Sequence, residues 1–216
     1  MSRLRKRKSK FGTIIYNHIM NNKSEYLTVT ILFFVGLIIS IIFFNNSSEE
    51  VLIEVNTYLN NMFNNIKNYE NIDLIKILKE CIIDNLIITL LLWFGASTII
   101  GIPIVYGTIL IKGFSIGYTI SSLLNVYGPW KGLIISISFL GLHNIIFVPT
   151  MFAISVSGVK LYKSIMKNKQ RENIKIEILR HTVFCLIMLL GMIIAALIET
   201  YLSTNMSAIL LKYIKI

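Results

Sequence analysis

Hydrophobic residues in this chain gather into long runs instead of alternating with polar residues. Five runs cover residues 26–44, 85–101, 107–126, 132–158 and 182–202. A helix needs roughly 20 residues to cross a hydrocarbon core of about 30 Å, so each run has about the length of a membrane span. The pattern predicts an all-α, polytopic membrane protein built as a five-span transmembrane helical bundle.

A polar segment, residues 45–84, separates the first two runs and has a helical pattern of its own. Ser47-x-x-Glu50 fits a capping box at a helix start. Apolar residues then recur on one helical face, at Val51, Val55, Tyr58, Leu59, Met62 and Ile66. A second stripe, residues 74–82, leads directly into the second run. We therefore expect short amphipathic outer helices.

Two interpretations of these outer helices stay open. They either pack on the bundle and the lipid headgroups, or they offer an apolar stripe with an acidic rim to a partner protein. The candidate partner-binding residues are Glu49, Glu50, Glu54, Tyr58 and Met62.

The positions of Lys and Arg predict the orientation of the spans. Residues 1–25 hold seven of them and residues 159–181 hold another seven, whereas residues 45–84 hold three against seven acidic residues. Basic residues accumulate in cytoplasmic loops, and five spans place 1–25 and 159–181 on the same side. We expect a cytoplasmic N-terminus, a cytoplasmic loop at 159–181, and an outer location for 45–84 and for the C-terminal tail, 203–216.

Composition agrees with the membrane assignment and excludes some classes of function. Of 216 residues, 55% are hydrophobic and 15% charged, and the mean hydropathy is +0.70. This composition leaves no room for a large soluble catalytic domain. The net charge of +10 is explained by orientation and by attraction to anionic membrane lipids, so we expect no nucleic-acid partner.

Cysteine and histidine give no sign of a disulfide, metal or cofactor. Cys81 and Cys185 are expected at different depths, which argues against a bond between them. His18, His143 and His181 are too scattered to form a metal-ligand motif. We expect neither a metal nor a cofactor.

Among the polar residues inside the predicted spans, three are candidates for a functional role, namely His143, Asn144 and Glu199. An ionisable group at mid-depth costs roughly 2.5–3.5 kcal/mol, so these side chains should face protein. By residue count His143 lies mid-span and Glu199 near the outer end, which argues against a direct pair. They either form structural hydrogen bonds or belong to a proton or ion path, for which Lys112 is the one further candidate. No second catalytic group at the same depth supports an intramembrane enzyme.

Small residues mark the third run as a packing surface. Gly113 and Gly117 form a GxxxG motif, and Gly107 lies further back along the run. Small side chains let helices approach closely in a membrane. The motif predicts packing within the chain, with contact to a second copy or to another protein as the alternative.

Together these features resemble the stage II sporulation protein M family. The resemblance rests on the basic N-terminus, the acidic outer segment and three stretches, FGASTIIGIPIVYGTILIKGFSIGYTISSLL, HNIIFVPTMF and ALIETYLST. It implies a multipass protein of the mother-cell membrane, needed for septal wall thinning and engulfment of the forespore. Such a protein would act as a membrane scaffold for the stage II sporulation proteins D and P, which cut peptidoglycan.

Two functions are therefore compared. The first is a non-enzymatic scaffold that recruits these peptidoglycan hydrolases. The second is a permease-like subunit of a transporter, since Gly- and Pro-interrupted helices with polar residues can line a pathway. The second function requires a separate ATPase, because the sequence has no GxxxxGK[ST] phosphate-binding loop.

Overall fold

The computed structural model describes residues 10–68, 73–98, 101–167, 171–206 and 209, and in these ranges it contains helices and no strand. The α-helices are α1 (Lys10–Asn21), α2 (Lys23–Asn45), α3 (Glu49–Asn68), α4 (Leu74–Ser97), α5 (Gly101–Tyr127), α6 (Pro129–Ser136), α7 (Leu142–Lys167) and α8 (Arg171–Leu197). Two π-helical segments interrupt them. Segment π1 (Ile137–Gly141) joins α6 to α7, and π2 (Ile198–Ser203) continues α8.

Five helical paths run between two ends of the bundle: α2, α4, α5, α6–π1–α7 and α8–π2. We call these ends the α1 end and the α3 end, after the shorter helices located there. Helix α4 lies along α8 over its length. Near the α1 end the Trp93 indole Nε1 donates to Thr182 Oγ1 at 3.0 Å, and further along the Asn85 amide donates to the Met192 carbonyl at 3.0 Å.

Four helical stretches in the described part of the chain are long and apolar enough to cross a membrane: Lys23–Asn45, Gly101–Tyr127, Pro129–Met166 and Ile174–Met206. The protein is thus an all-helical, multi-pass membrane protein. Helix α4, which contains the second predicted span, is not among the four. Its first turns carry several charged residues, so the five-span count stays a prediction.

Several predicted boundaries differ from the structure. Helix α5 begins at Gly101, not at residue 107, because Pro103 falls in its first turn, where a missing N–H breaks no hydrogen bond. The predicted loop 159–181 is helical on both sides of residues 168–170. The predictions for residues 1–9, for 69–72 and for the tail at 207–208 and 210–216 lie outside the described residues.

Close packing of α2 against α5 forms the centre of the bundle. A Cβ atom on Gly113 would overlap the carbonyl oxygen of Phe33, and one on Gly36 would overlap that of Leu110. A Cβ on Gly117 would overlap Ser40 Oγ. The GxxxG motif therefore packs within the chain. The third predicted packing glycine, Gly107, has open space around it and takes no part in this contact.

Helix α3 packs on the α3 end through one apolar face. Leu59 and Phe63 are buried against Leu123 of α5 and Ile135 of α6. The predicted capping box does not form, since Ser47 donates its hydroxyl to the Phe43 carbonyl of α2 at 3.1 Å and α3 begins at Glu49.

Candidate functional site

The two π-helical segments lie side by side near the α3 end. A π-turn inserts one extra residue into a helix and breaks the regular hydrogen-bond ladder, and such turns occur often at functional sites. Two adjacent π-segments in one bundle therefore mark this region as the candidate site. No feature of the amino-acid pattern predicted them.

The structure brings together two residues that the sequence had placed at different depths. His143 Nε2 lies 3.9 Å from Glu199 Oε1. The prediction against a direct pair is wrong because the helix does not end near Leu202. It continues through π2 to Met206, so Glu199 lies further from the helix end than the residue count suggested. His143 is 7% exposed, whereas 36% of the Glu199 side chain is exposed, so protein encloses the imidazole more fully than the carboxylate.

Lys112 and Asn144 complete a polar cluster around this pair. The carboxylate of Glu199 interacts electrostatically with both His143 and Lys112. The Lys112 ammonium also lies 4.6 Å from the centre of the Phe147 ring, within range of a cation–π interaction. Asn144 donates its amide to the Leu140 carbonyl of π1 at 2.7 Å. The cluster links α5, π1, α7 and π2.

Several buried polar atoms here lack a hydrogen-bond partner in the described part of the chain. They include Ser138 Oγ of π1, Asn144 Oδ1 and Ser203 Oγ of π2. Ser138 and Ser203 are 4% and 1% exposed, respectively. A buried hydroxyl without a partner costs about 1–3 kcal/mol, so such groups occur where a ligand or a functional constraint compensates.

A cavity of about 380 Å³ opens beside π2, and we call it the α3-end cavity. Helices α3 and α4, together with both π-segments, form its walls. Apolar walls come from Met62, Ile66, Ile77 and Phe139. The charged groups on its walls are Asp73, Lys76, Glu80 and Glu199, and Ser203 lies beside them.

Cys81 of α4 also lines the cavity, next to Glu199. Burial, followed by the negative charge of Glu199, raises the pKa of this thiol from 9.0 to about 11. The group is therefore a neutral thiol at physiological pH. Both cysteines are free, as expected from their separate positions.

Within the described ranges, no group of three or more His, Cys, Asp or Glu residues is arranged to hold a metal ion. Two of the three histidines, His18 and His181, line a second cavity of about 270 Å³ at the α1 end. His18 stacks on Phe184 with ring centres 5.2 Å apart, and His181 Nδ1 lies 2.9 Å from Ser157 Oγ. Burial, and then the charge of Lys160, lowers the pKa of His18.

The residues predicted to bind a partner separate into two groups. Glu49, Glu50, Glu54 and Tyr58 are exposed on α3, with Tyr58 66% exposed. Met62 instead lies in the wall of the α3-end cavity. We call the first group, the exposed outer side of α3, the α3 face. The sequence alone did not single out Ser138, Ser203, Glu80 or Cys81, because serine is common in membrane helices and no spacing linked these positions.

Comparison with known proteins gives one match. The family model described as stage II sporulation protein M matches residues 29–204, which is more than three quarters of the chain. No curated protein and no solved structure matches significantly.

Proposed function

The chain belongs to the stage II sporulation protein M family, and from this premise we propose that it is a non-enzymatic membrane scaffold for sporulation. In this proposal it recruits the peptidoglycan hydrolases, stage II sporulation proteins D and P, for thinning of the septal wall and engulfment of the forespore. Its location would be the sporulation septum, in the mother-cell membrane. Membership of the family supports the sporulation role, and the α3 face supports recruitment.

The α3 face is the observation on which this proposal depends. Its inner side is fixed to the bundle by Leu59 and Phe63, so the helix is held firmly in place. The Tyr127 hydroxyl donates to Asn60 Oδ1 at 3.0 Å and adds a polar tether. The opposite side leaves three glutamates, Tyr58 and Ile53 exposed. A rigid helix with an exposed aromatic residue among acidic side chains suits protein docking.

The proposed orientation puts the α1 end in the cytoplasm and the α3 end outside. The charge asymmetry between residues 1–25 and 45–84 supports this orientation. In a five-span arrangement α4 would be the second span, since it extends from Cys81 near π2 to Trp93 near the start of α8. The C-terminus would then lie outside, opposite the N-terminus.

Co-purification from sporulating cells tests this proposal. We expect the tagged wild-type chain to retain both hydrolases after extraction in detergent. A variant with Glu49→Gln, Glu50→Gln, Glu54→Gln and Tyr58→Ala should retain at least about tenfold less, because aromatic hot spots contribute 2 kcal/mol or more to an interface. The matched control is Lys131→Gln with Trp130→Ala, which removes a charge and an aromatic ring at exposed positions of α6. Equal recovery of the hydrolases by both variants would exclude the α3 face.

The permease-like alternative gains no support from these comparisons. The family match is to a sporulation protein, and it connects the chain with no ATPase. Contact between two copies of the chain also lacks support from the GxxxG motif, which packs against α2 of the same chain.

A further inference from the structure

Among the described residues, the walls of the α3-end cavity carry more carboxylates than ammonium groups, although Glu199 also interacts with His143 and Lys112. Its walls carry three carboxylates, from Asp73, Glu80 and Glu199, and one ammonium group, from Lys76. Neither Glu80 nor Lys76 forms an ion pair within the described residues. One Asp73 oxygen is already used, because it accepts the backbone N–H groups of residues 75 and 76 at 3.1 Å as a helix cap. The cavity therefore favours a cation.

A buried serine adds a hydroxyl group to the cavity wall. Ser203 lines the cavity and is 1% exposed, and its Oγ has no hydrogen-bond partner in the described part of the chain. It is four residues from Glu199, about one helical turn along π2. A group with several N–H donors would bond to both. The site thus has the acceptors that a primary ammonium requires.

The apolar walls indicate what carries that ammonium. Met62, Ile66, Ile77 and Phe139 form the apolar part of the wall and can cover a chain of methylene groups. A lysine side chain has this form, with an aliphatic stem and a charged end. A bare metal ion would leave the apolar walls unused, and the described residues hold no metal-ligand cluster.

We propose that the α3-end cavity binds the side chain of a lysine presented by an extracytoplasmic partner protein, with Glu199 and Ser203 receiving its ammonium group. This assignment of the lysine to a partner rests on the proposed function and on the proposed orientation. Lys76, at the cavity wall, repels the incoming ammonium. The site thus contains one group that favours binding and one that opposes it, and their substitutions should act in opposite directions.

The test measures thermal stabilisation of the purified full-length chain in detergent. The probe is N-acetyl-lysine methylamide, and the control compound is the analogue with a hydroxyl in place of the ammonium. At about ten times its dissociation constant, the lysine compound should raise the unfolding temperature by about 3–6 °C. The hydroxyl analogue should give no comparable shift. Equal shifts by both compounds would overturn the proposal.

Variants show whether the binding occurs in this cavity. Glu199→Gln should abolish the shift and Ser203→Ala should reduce it, whereas Lys76→Gln should lower the half-saturating concentration about two- to threefold. Lys131→Gln, at an exposed position of α6 outside the cavity, is the matched control and should behave as wild type. The unfolding temperature without ligand shows that each variant is folded. Because Ser203→Ala removes one atom, it tests the site even if Glu199→Gln unfolds. An unchanged shift in Ser203→Ala and Glu199→Gln would place the binding elsewhere.

This assay contains no hydrolase, so it can fail separately from the co-purification experiment. A shift that depends on Glu199 supports the site even if neither hydrolase co-purifies with the wild type. If Glu199→Gln abolishes the shift but retains normal amounts of both hydrolases, the assignment of the lysine to these partners is overturned.

Discussion

Glu199 connects the two polar regions near the α3 end. On one side it lies 3.9 Å from His143, and on the other it forms part of the cavity wall. The sequence predicted that both residues would face protein, because polar groups in a membrane are costly. Their meeting could not be predicted, since it depends on where the last helix ends and on the extra residues in π1 and π2. Residue counting along a regular helix misses both effects.

The thiol of Cys81 provides a test of this environment at the scale of one residue. Since its pKa is raised to about 11, the thiolate fraction should keep rising about tenfold per pH unit well above pH 9. Alkylation by iodoacetamide, followed by peptide mass spectrometry, measures this profile. Glu199→Gln should move the profile to lower pH, because it removes a negative charge that disfavours the thiolate.

A labelling rate for Cys81 that levels off near pH 9 would show that its pKa is not raised, and would contradict the proposed surroundings of this thiol. Cys185 serves as the internal control for folding, because it is 4% exposed in the core and should stay unlabelled throughout.

Among the helical elements, α3 shows what a sequence pattern can and cannot predict. The 3.6-residue spacing predicted short amphipathic outer helices, and in the structure α3 is a helix of 20 residues that buries Leu59 of the predicted stripe. The stripe included Tyr58, which is 66% exposed, and omitted Phe63, which is 3% exposed. The buried face is narrower than the hydrophobic stripe, because only the residues above α5 and α6 find a partner surface.

Two glycines of α5 allow a matched test of the contact between helices. Gly113→Ala places a Cβ against the Phe33 carbonyl and should destabilise the bundle by about 1–3 kcal/mol, as overpacking does. Gly107→Ala meets open space and should be neutral or stabilise by up to about 1 kcal/mol, because alanine favours the helix. Thermal unfolding measures both, followed in a Cys81→Ser background with a thiol-reactive dye that reports exposure of the buried Cys185.

Gly113→Ala should therefore lower the unfolding temperature, and Gly107→Ala should leave it unchanged or raise it. A Gly113→Ala variant as stable as Gly107→Ala would show that α2 and α5 are not in close contact at this point.

At the scale of the whole molecule, the sequence predicted the all-helical membrane fold and the family. Long apolar runs need no tertiary information to be recognised, and the family match over residues 29–204 agrees with the resemblance. The α3-end cavity could not be predicted in the same way. It is formed by groups far apart in the sequence, such as Glu80 and Ser203, which only the packing of α4 against π2 brings together.

The central claim is that the α3 face contacts the hydrolases directly, and site-specific photocrosslinking in sporulating cells tests it. A photoreactive phenylalanine analogue replaces Tyr58, and in a second strain it replaces Met166, which is 59% exposed at the α1 end. We predict crosslinks to the stage II sporulation proteins D or P from position 58 and none from position 166. Absence of these crosslinks from position 58, in a chain that still supports sporulation, would contradict the claim.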